Sequence, residues 1–256
     1  MPLSDAQWNT IRHHFPEEAD SPAKPGRKPV PARRILEAVI WILKTGAQWH
    51  MLPQSFPNYK TVHRRFQKWC ASEVIRNILC DLANQAREQD AGEFDEAYID
   101  AMFVPARMAG EEIGYGYKGK GTKIMAIVDR KGLPTAVAAY SNEHHEVKLV
   151  QLTLDLSVVE VSPERLIGDT GFDSDRLDEE LRSEGIEMIA PHKRSRKKKS
   201  TQDQRLLRRM RRRFTVERTF SWLKWSRRIA QRWDYYWSNF LGFVELACVG
   251  LYLKRI

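Results

Sequence analysis

The sequence predicts a mixed α/β protein, with a helical amino-terminal segment in front of a mixed-sheet core. Three observations lead to that fold class. Apolar residues recur at helical spacing through the first 90 residues. From residue 94 the texture changes to short apolar or alternating runs. Three such runs come first, and then helical and extended stretches alternate, the order of a mixed sheet with helices on its faces.

Within the first segment, Ile35, Leu36, Val39, Ile40, Ile42 and Leu43 follow the boundary signal Pro29-Val30-Pro31 and mark a helix. A break rich in proline and polar residues covers Met51–Pro57. Asn58 is placed to cap a second helix, Tyr59 to about Trp69. Val62, Phe66 and Trp69 fall on one stripe of that helix, with Lys60, Arg64 and Lys68 opposite. An apolar back and a basic front outline a helix-turn-helix recognition helix, and equally an ordinary amphipathic surface helix. Further on, Ala97–Val104, Lys123–Asp129 and Thr135–Tyr140 read as strands, with Arg130-Lys131-Gly132 as a turn. A helix over Glu146 to Val158, a strand at Arg165–Gly168, a helix near Ser174–Ser183 and a strand at Glu187–Ala190 follow. One long helix is expected from about Asp203 to Arg228. The aromatic stretch Trp233, Tyr235, Tyr236, Trp237, Phe240 and Phe243 is either a closing helix packed on the core or a platform for stacking extruded bases.

A chain of 256 residues fits one large domain or a main domain with a small appendage, divided here at 1–90 and 91–256. No apolar run approaches the ~18–20 residues of a membrane-spanning helix, and the start MPLSDAQWNT has no signal-peptide pattern. Cys70, Cys80 and Cys248 are an odd, scattered set, which suits a reducing compartment and gives no zinc or disulfide framework. The net charge is +9. Residues 193–213 hold twelve Lys or Arg against one acid, Asp203. A block this dense points to a polyanion partner, with a solvated tail as the alternative, and no apolar face beside it suggests a membrane.

Three carboxylates stand out. Asp100 interrupts the apolar strand pattern Tyr98-Ile99-Asp100-Ala101-Met102-Phe103, where burial is costly unless the group is paired or bound to a metal. Asp169 ends a strand and opens Thr170-Gly171-Phe172-Asp173-Ser174, while Asp173 and Ser174 are better placed to cap the next helix. Glu217 shares a narrow sector of the basic helix with Arg213 and Lys224, and Val216, Phe220 and Leu223 bring that side toward the core. Each has a plain alternative: a solvent-facing edge residue, a helix cap and a surface salt-bridge stripe. Together they fit a two-metal site for in-line displacement at phosphorus, because hard Mg²⁺ prefers oxygen ligands and keeps several waters. No P-loop is present, Gly114-Tyr115-Gly116 lacks the remaining nucleotide signature, and the seven histidines show no HExxH spacing. His144-His145-Glu146 could reach a metal but reads as secondary or structural.

These residues resemble bacterial DDE transposases of the insertion-sequence-five group, within the insertion-sequence-four/five type. The first Asp resembles the family's in Ile99-Asp100-Ala101. Asp169-Thr170-Gly171-Phe172-Asp173-Ser174 resembles its Asp-x-Gly-Tyr/Phe-Asp-Ser pattern. Arg213, Glu217 and Lys224 match its Tyr-x2-Arg-x3-Glu-x6-Lys signature, with Met210 where the family has Tyr. Lys118–Leu133, Glu143–Val147 and Leu3–Ile78, with Gly46-Ala47-Gln48-Trp49 and Leu52-Pro53, resemble further family regions.

The resemblance implies a ribonuclease-H-like catalytic core behind a helix-turn-helix-like DNA-binding domain. It implies Asp100, Asp169 and Glu217 as ligands of two Mg²⁺ ions, with Mn²⁺ a substitute, and Arg213 and Lys224 beside them. The implied partner is double-stranded DNA, both inverted-repeat ends and target, bound by a homodimer or larger assembly in the bacterial cytoplasm beside the nucleoid. DNA contacts are expected from Lys60, Arg64, Arg65 and Lys68, and from Lys193, Arg194, Arg196, Lys197, Lys198 and Lys199. Only 48 residues separate Asp169 from Glu217, too few for a large insertion domain. Two rivals remain at this stage: a DNA-binding regulator that has lost activity, for which Met210 speaks, and a structure-dependent nuclease that does not join strands.

Overall fold

A computed structural model of the chain describes residues 3–18, 28–89, 95–197 and 204–255. The sheet is built around β1 (Glu96–Pro105). On one side β1 pairs antiparallel with β3 (Gly119–Val128), from Tyr98↔Val128 to Pro105↔Gly121. On the other it pairs in parallel with β5 (Arg165–Ile167), which pairs in parallel with β6 (Glu187–Ile189). The outer edge of β3 carries β4 (Pro134–Ser141) and, at its start, the short β2 (Gly114–Gly116), both antiparallel. Setting β2 aside, the order is β4-β3-β1-β5-β6. An antiparallel meander continued by two parallel strands is the ribonuclease-H-like arrangement expected from the motifs.

Side chains alternate between the two faces of a strand, so each strand feeds two cores. Tyr98, Met102, Val104, Ile124, Ala126 and Val128 face the larger core. Ala97, Ile99, Met125 and Ile127 face a smaller one with Leu149, Val150, Leu177 and Leu181. Those last four lie on α5 (Glu146–Leu154) and α6 (Asp175–Ser183), and Ser174 caps α6 by accepting from Leu177 N–H.

The amino-terminal helices belong to the larger core. They are α1 (Asp5–Ile11), α2 (Ala32–Thr45), α3 (Tyr59–Ala71) and α4 (Val74–Gln89). The apolar stripe of α2 is buried, and the helix ends at Gly46, whose φ of 69° is the left-handed conformation that favours glycine. Asn58 caps α3 by accepting from Lys60 N–H at 3.0 Å, and Val62, Phe66 and Trp69 are buried. The closing helix α10 (Trp237–Tyr252) is apolar nearly all round and lies between α3, α4 and β4. Its Phe240, Phe243, Val244 and Cys248 are fully buried, and each such apolar side chain stabilises the fold by about 1.5–3 kcal/mol.

Two features differ from the sequence reading. The expected single helix from Asp203 to Arg228 is broken into α7 (Gln204–Leu207), a 3-10 turn (Arg208–Arg212), α8 (Phe214–Lys224) and α9 (Arg227–Ala230). The 3-10 turn and the residue after it carry ion pairs to β1: Arg209 and Arg212 pair with Glu96, and Arg213 pairs with Asp100. Those partners lie far away in sequence, so the local helical pattern gives no sign of the break. Strand β2 was also not foreseen, since Gly-Tyr-Gly carries no alternation.

Candidate active site

The pairing of β1 with β5 aligns Tyr98 with Ile167. Two residues beyond that pair come Asp100, still on β1, and Asp169, just past the end of β5, and the charge of Asp169 is felt at Asp100. Asp100 shares the face of Tyr98 and Met102 and is largely buried, its side chain 17 % exposed. Its Oδ1 accepts from Ala101 N–H at 2.7 Å, and its Oδ2 accepts from Arg213 Nη1 at 2.9 Å. Burial raises the Asp100 pKa above its ordinary value. The Ala101 N–H and Arg213 oppose the shift, and the charges of Asp169 and Glu146 add to it.

Asp169 leaves the cap of α6 to Ser174, as the sequence suggests, and caps the 3-10 turn that precedes it. Its Oδ1 accepts from Gly171 N–H at 2.7 Å and caps the 3-10 turn Thr170–Phe172. Ser174 caps α6, and Asp173 instead meets His192, Arg196 and the Lys193 N–H. Glu217 lies in the first turn of α8, where the helix dipole favours a carboxylate. Its side chain is 54 % exposed and is held by Arg213 Nη2 at 2.6 Å. Arg213 thus bridges Asp100 and Glu217. The seat of α8 is fixed at the β3–β4 turn, where Thr219 Oγ1 donates to Gly132 O at 2.8 Å and Arg218 Nη2 to Lys131 O at 3.1 Å. Lys224 ends α8 and is exposed, and Met210 is half-buried against the core.

Glu146, which the sequence reading set aside as secondary, joins this group. A Cβ at Gly171 would lie 2.8 Å from Asp169 Oδ1 and 3.6 Å from Glu146 Oε2, so both oxygens lie within 4 Å of one point. Only a residue without a side chain leaves that space open. Lys123 holds Glu146 Oε1 at 3.3 Å and donates to His144 O at 2.8 Å. Among the described residues, the ion pairs on these four carboxylates come from Arg213 and Lys123. Every carboxylate oxygen is a hard donor and none is joined by sulfur or imidazole in the pairs above, a set that fits Mg²⁺ or Mn²⁺. The guanidinium marks where positive charge is wanted. Among the described residues, the site carboxylates do not close into a three-ligand cluster with atoms within 4.8 Å of one another. Glu96, also missed, is fully buried and anchors Arg130, Arg209 and Arg212. A charge opening an apolar strand was its signal in the sequence.

The cationic residues divide. Lys60, Arg64 and Lys68 are exposed along one stripe of α3. Arg65 departs from that set: its side chain is 16 % exposed and pairs with Glu17 at 3.0 Å. Arg196 is likewise turned inward, 3.1 Å from Asp173 and 2.6 Å from Asp175. Lys193, Arg194 and Lys197 are exposed, and Lys198 and Lys199 lie outside the described residues. Of the aromatic stretch, Phe240 and Phe243 are core, while Tyr235 and Tyr236 are exposed.

Residues 94–249 match the family described as "Transposase DDE domain", and residues 3–79 match one described as "Putative transposase of IS4/5 family (DUF4096)". The "Insertion element IS402 uncharacterized 16.2 kDa protein" of Burkholderia cepacia is 30% identical over 115 residues, 44% of this chain and 78% of that protein. The "Uncharacterized protein y4sN" of Sinorhizobium fredii (strain NBRC 101917 / NGR234) is 33% identical over 84 residues, 33% of this chain and 65% of the relative's length. Among solved structures, "Mos1 transposase paired-end complex with left transposon end" is 11% identical and covers 92% of this chain and 83% of that one. Its TM-score is 0.26, too low an overlap to relate the two element by element. The two family matches together run from residue 3 to residue 249, and the chain belongs to the DDE transposases of the insertion-sequence-four/five type.

Proposed function

We propose that this chain binds the terminal inverted repeats of an insertion sequence, hydrolyses the element ends and transfers the freed 3′-OH to target DNA. The observation that carries the reading is that Asp100 on β1 and Asp169, just past the end of the adjacent β5, lie near each other, with Asp100 joined to Glu217 through Arg213. Asp100, Asp169 and Glu217 would hold two Mg²⁺ ions, with Glu146 a neighbouring carboxylate steadied by Lys123. When bound, such ions supply charge stabilisation for the attacking and leaving oxygens of a phosphodiester. The chain's own residues do the rest. The sheet fixes Asp100 and Asp169, α8 carries Glu217, and Arg213 and Lys224 offset phosphate charge beside them. Lys60, Arg64 and Lys68 would contact the DNA backbone, joined by the exposed Lys193, Arg194 and Lys197. The proposed division of labour gives residues 1–90 to DNA binding and residues 91–256 to chemistry.

The test is cleavage and joining of a labelled inverted-repeat end with Mg²⁺, Mn²⁺ or EDTA. Asp100→Asn, Asp169→Asn and Glu217→Gln should each abolish cleavage while leaving end binding measurable. Any one of these variants that still cleaves overturns the ligand assignment. Cleavage without end preference or joining would point to the nuclease reading instead.

A further inference from the structure

A second group of metal-type ligands lies in the amino-terminal helices, away from the carboxylate set. His13 and His14 form the end of a 3-10 turn (Arg12–His14) that follows α1, and Asp81 lies on α4. The Nε2 atoms of both rings approach one oxygen, Asp81 Oδ2, at 3.2 Å for His13 and 3.0 Å for His14. The three donor atoms all lie within 4.8 Å of one another, and the ring centroids are 4.1 Å apart.

We propose that His13, His14 and Asp81 form a binding site for a single first-row divalent transition-metal ion of the zinc class. Two ligands held about 2.0–2.1 Å from such an ion at tetrahedral angles lie about 3.3 Å apart, close to both observed separations. Two imidazoles with one carboxylate select a borderline ion over hard Mg²⁺, which separates this site chemically from the one built of carboxylates alone. Neutral imidazole is the ligating form. A plain pair of hydrogen bonds is the competing account. It leaves two mutually tilted rings close together, both meeting one oxygen of a carboxylate whose side chain is 49 % exposed, an arrangement of little stabilising value. An ion satisfies all three groups at once. With the His13 side chain 58 % exposed, the remaining coordination positions face solvent.

The ion would clip the end of α1 to α4 across 67 residues of chain. Helix α1 carries Trp8 and Ile11 into the core, so the clip would hold the helical segment closed on itself. Binding to the folded state alone raises its stability by mass action.

The experiment uses the full chain in millimolar Mg²⁺, so that carboxylate sites are already supplied. Zn²⁺ is titrated calorimetrically, and Co²⁺ serves as a visible spectroscopic probe. Expected are one Zn²⁺ per chain with micromolar or tighter affinity, a higher melting temperature, and Co²⁺ absorbance bands of low-coordinate geometry. His13→Ala and the near-isosteric Asp81→Asn should each weaken Zn²⁺ binding at least about tenfold. Asp100→Asn and His145→Ala should leave it unchanged. No stoichiometric binding in the micromolar range, or His13→Ala and Asp81→Asn binding Zn²⁺ as tightly as the parent chain, overturns the proposal. Because the readout is metal affinity and not DNA cleavage, either result is independent of the proposed transposition chemistry.

Discussion

Arg213→Met is the sharpest perturbation of the site, because one guanidinium serves two carboxylates. Its arm to Asp100 Oδ2 is 2.9 Å long, and both side chains are mostly buried, 22 % and 17 % exposed. A hydrogen bond to a charged group in such a place contributes about 1.5–3 kcal/mol. Its arm to Glu217 is shorter, 2.6 Å, but Glu217 is 54 % exposed, so solvent screening reduces it to about 0.3–0.5 kcal/mol. The loss in EDTA should therefore be about 2–3.5 kcal/mol. For a chain of this size that lowers the melting temperature by about 4–14 °C. Mg²⁺ changes the expectation. On the proposed metal assignment, divalent charge beside Asp100, Asp169 and Glu217 would compensate the same carboxylates, so the gap between variant and parent should shrink at saturating Mg²⁺. Differential scanning calorimetry in EDTA and in Mg²⁺ measures both gaps. An unchanged gap in Mg²⁺ means that the guanidinium and the metal do not share a task. An Arg213→Met variant as stable as its parent in EDTA would refute the bridge itself.

Three further perturbations test other parts of the molecule. Glu96→Gln removes the buried carboxylate shared by Arg130, Arg209 and Arg212, whose side chains are 29 %, 37 % and 63 % exposed and can reach water. The cost should be about 1–3 kcal/mol, below that of an enclosed pair, with faster trypsin cleavage at 208–212; an unchanged cleavage rate would count against the anchor. Replacing Lys60, Arg64 and Lys68 together by Gln should weaken binding to any duplex and flatten the slope of log K against log salt by about 0.9 per lost phosphate contact. An unchanged slope removes α3 from the interface. Glu245 is raised from 4.5 to about 7 by burial, against the pull of Arg76. Its favourable contribution is complete below about pH 4.5 and is lost as pH rises through about 7. Glu245→Gln should therefore gain on its parent by at most about 3 kcal/mol at pH 8 and by less at pH 5; an equal gain at both would disprove the linkage.

What could be read from the sequence was what periodicity and local turn chemistry encode. The apolar runs of β1 and β4, the stripe of α3 with its Asn58 cap, and the glycine turn after Asp169 all depend on neighbours a few residues away. The misses depend on residues far apart in sequence. Nothing local distinguishes Arg65, which faces Glu17, from Arg64, which faces solvent. The broken stretch within 203–228 is pinned to Glu96 and Asp100 on β1, more than a hundred residues earlier. Glu146 sits among polar neighbours and looks ordinary until β4 and α5 bring it beside Gly171. Conversely, Asp100 was legible because a carboxylate in an apolar strand demands a partner, and Arg213 is that partner.

The proposed DNA-reading helix and the proposed catalytic helix are joined by packing. Phe66 on α3 lies 4.4 Å from Phe243 on α10, ring to ring, and Trp49 stacks near His63, Phe66 and Phe243. Gly242 on α10 leaves room for the Cys70 thiol, since a Cβ there would meet its sulfur at 2.4 Å. From α10 the chain of contacts reaches α9 through Arg228, which grips Asp234 with two bonds of 2.7 and 3.1 Å and stands over the Phe243 ring. Gly46, at the end of α2, abuts Arg227 of α9. Only Trp225 and Ser226 separate α9 from α8, which carries Glu217. One core of buried residues therefore runs from Leu3 through α3 and α10 to Leu223 and Leu253. Close-packed interiors transmit displacement and do not absorb it. A duplex held on Lys60, Arg64 and Lys68 would then sit at a set distance and angle from Asp100, Asp169 and Glu217. The division of labour proposed at residue 90 separates two tasks laid on one continuous core.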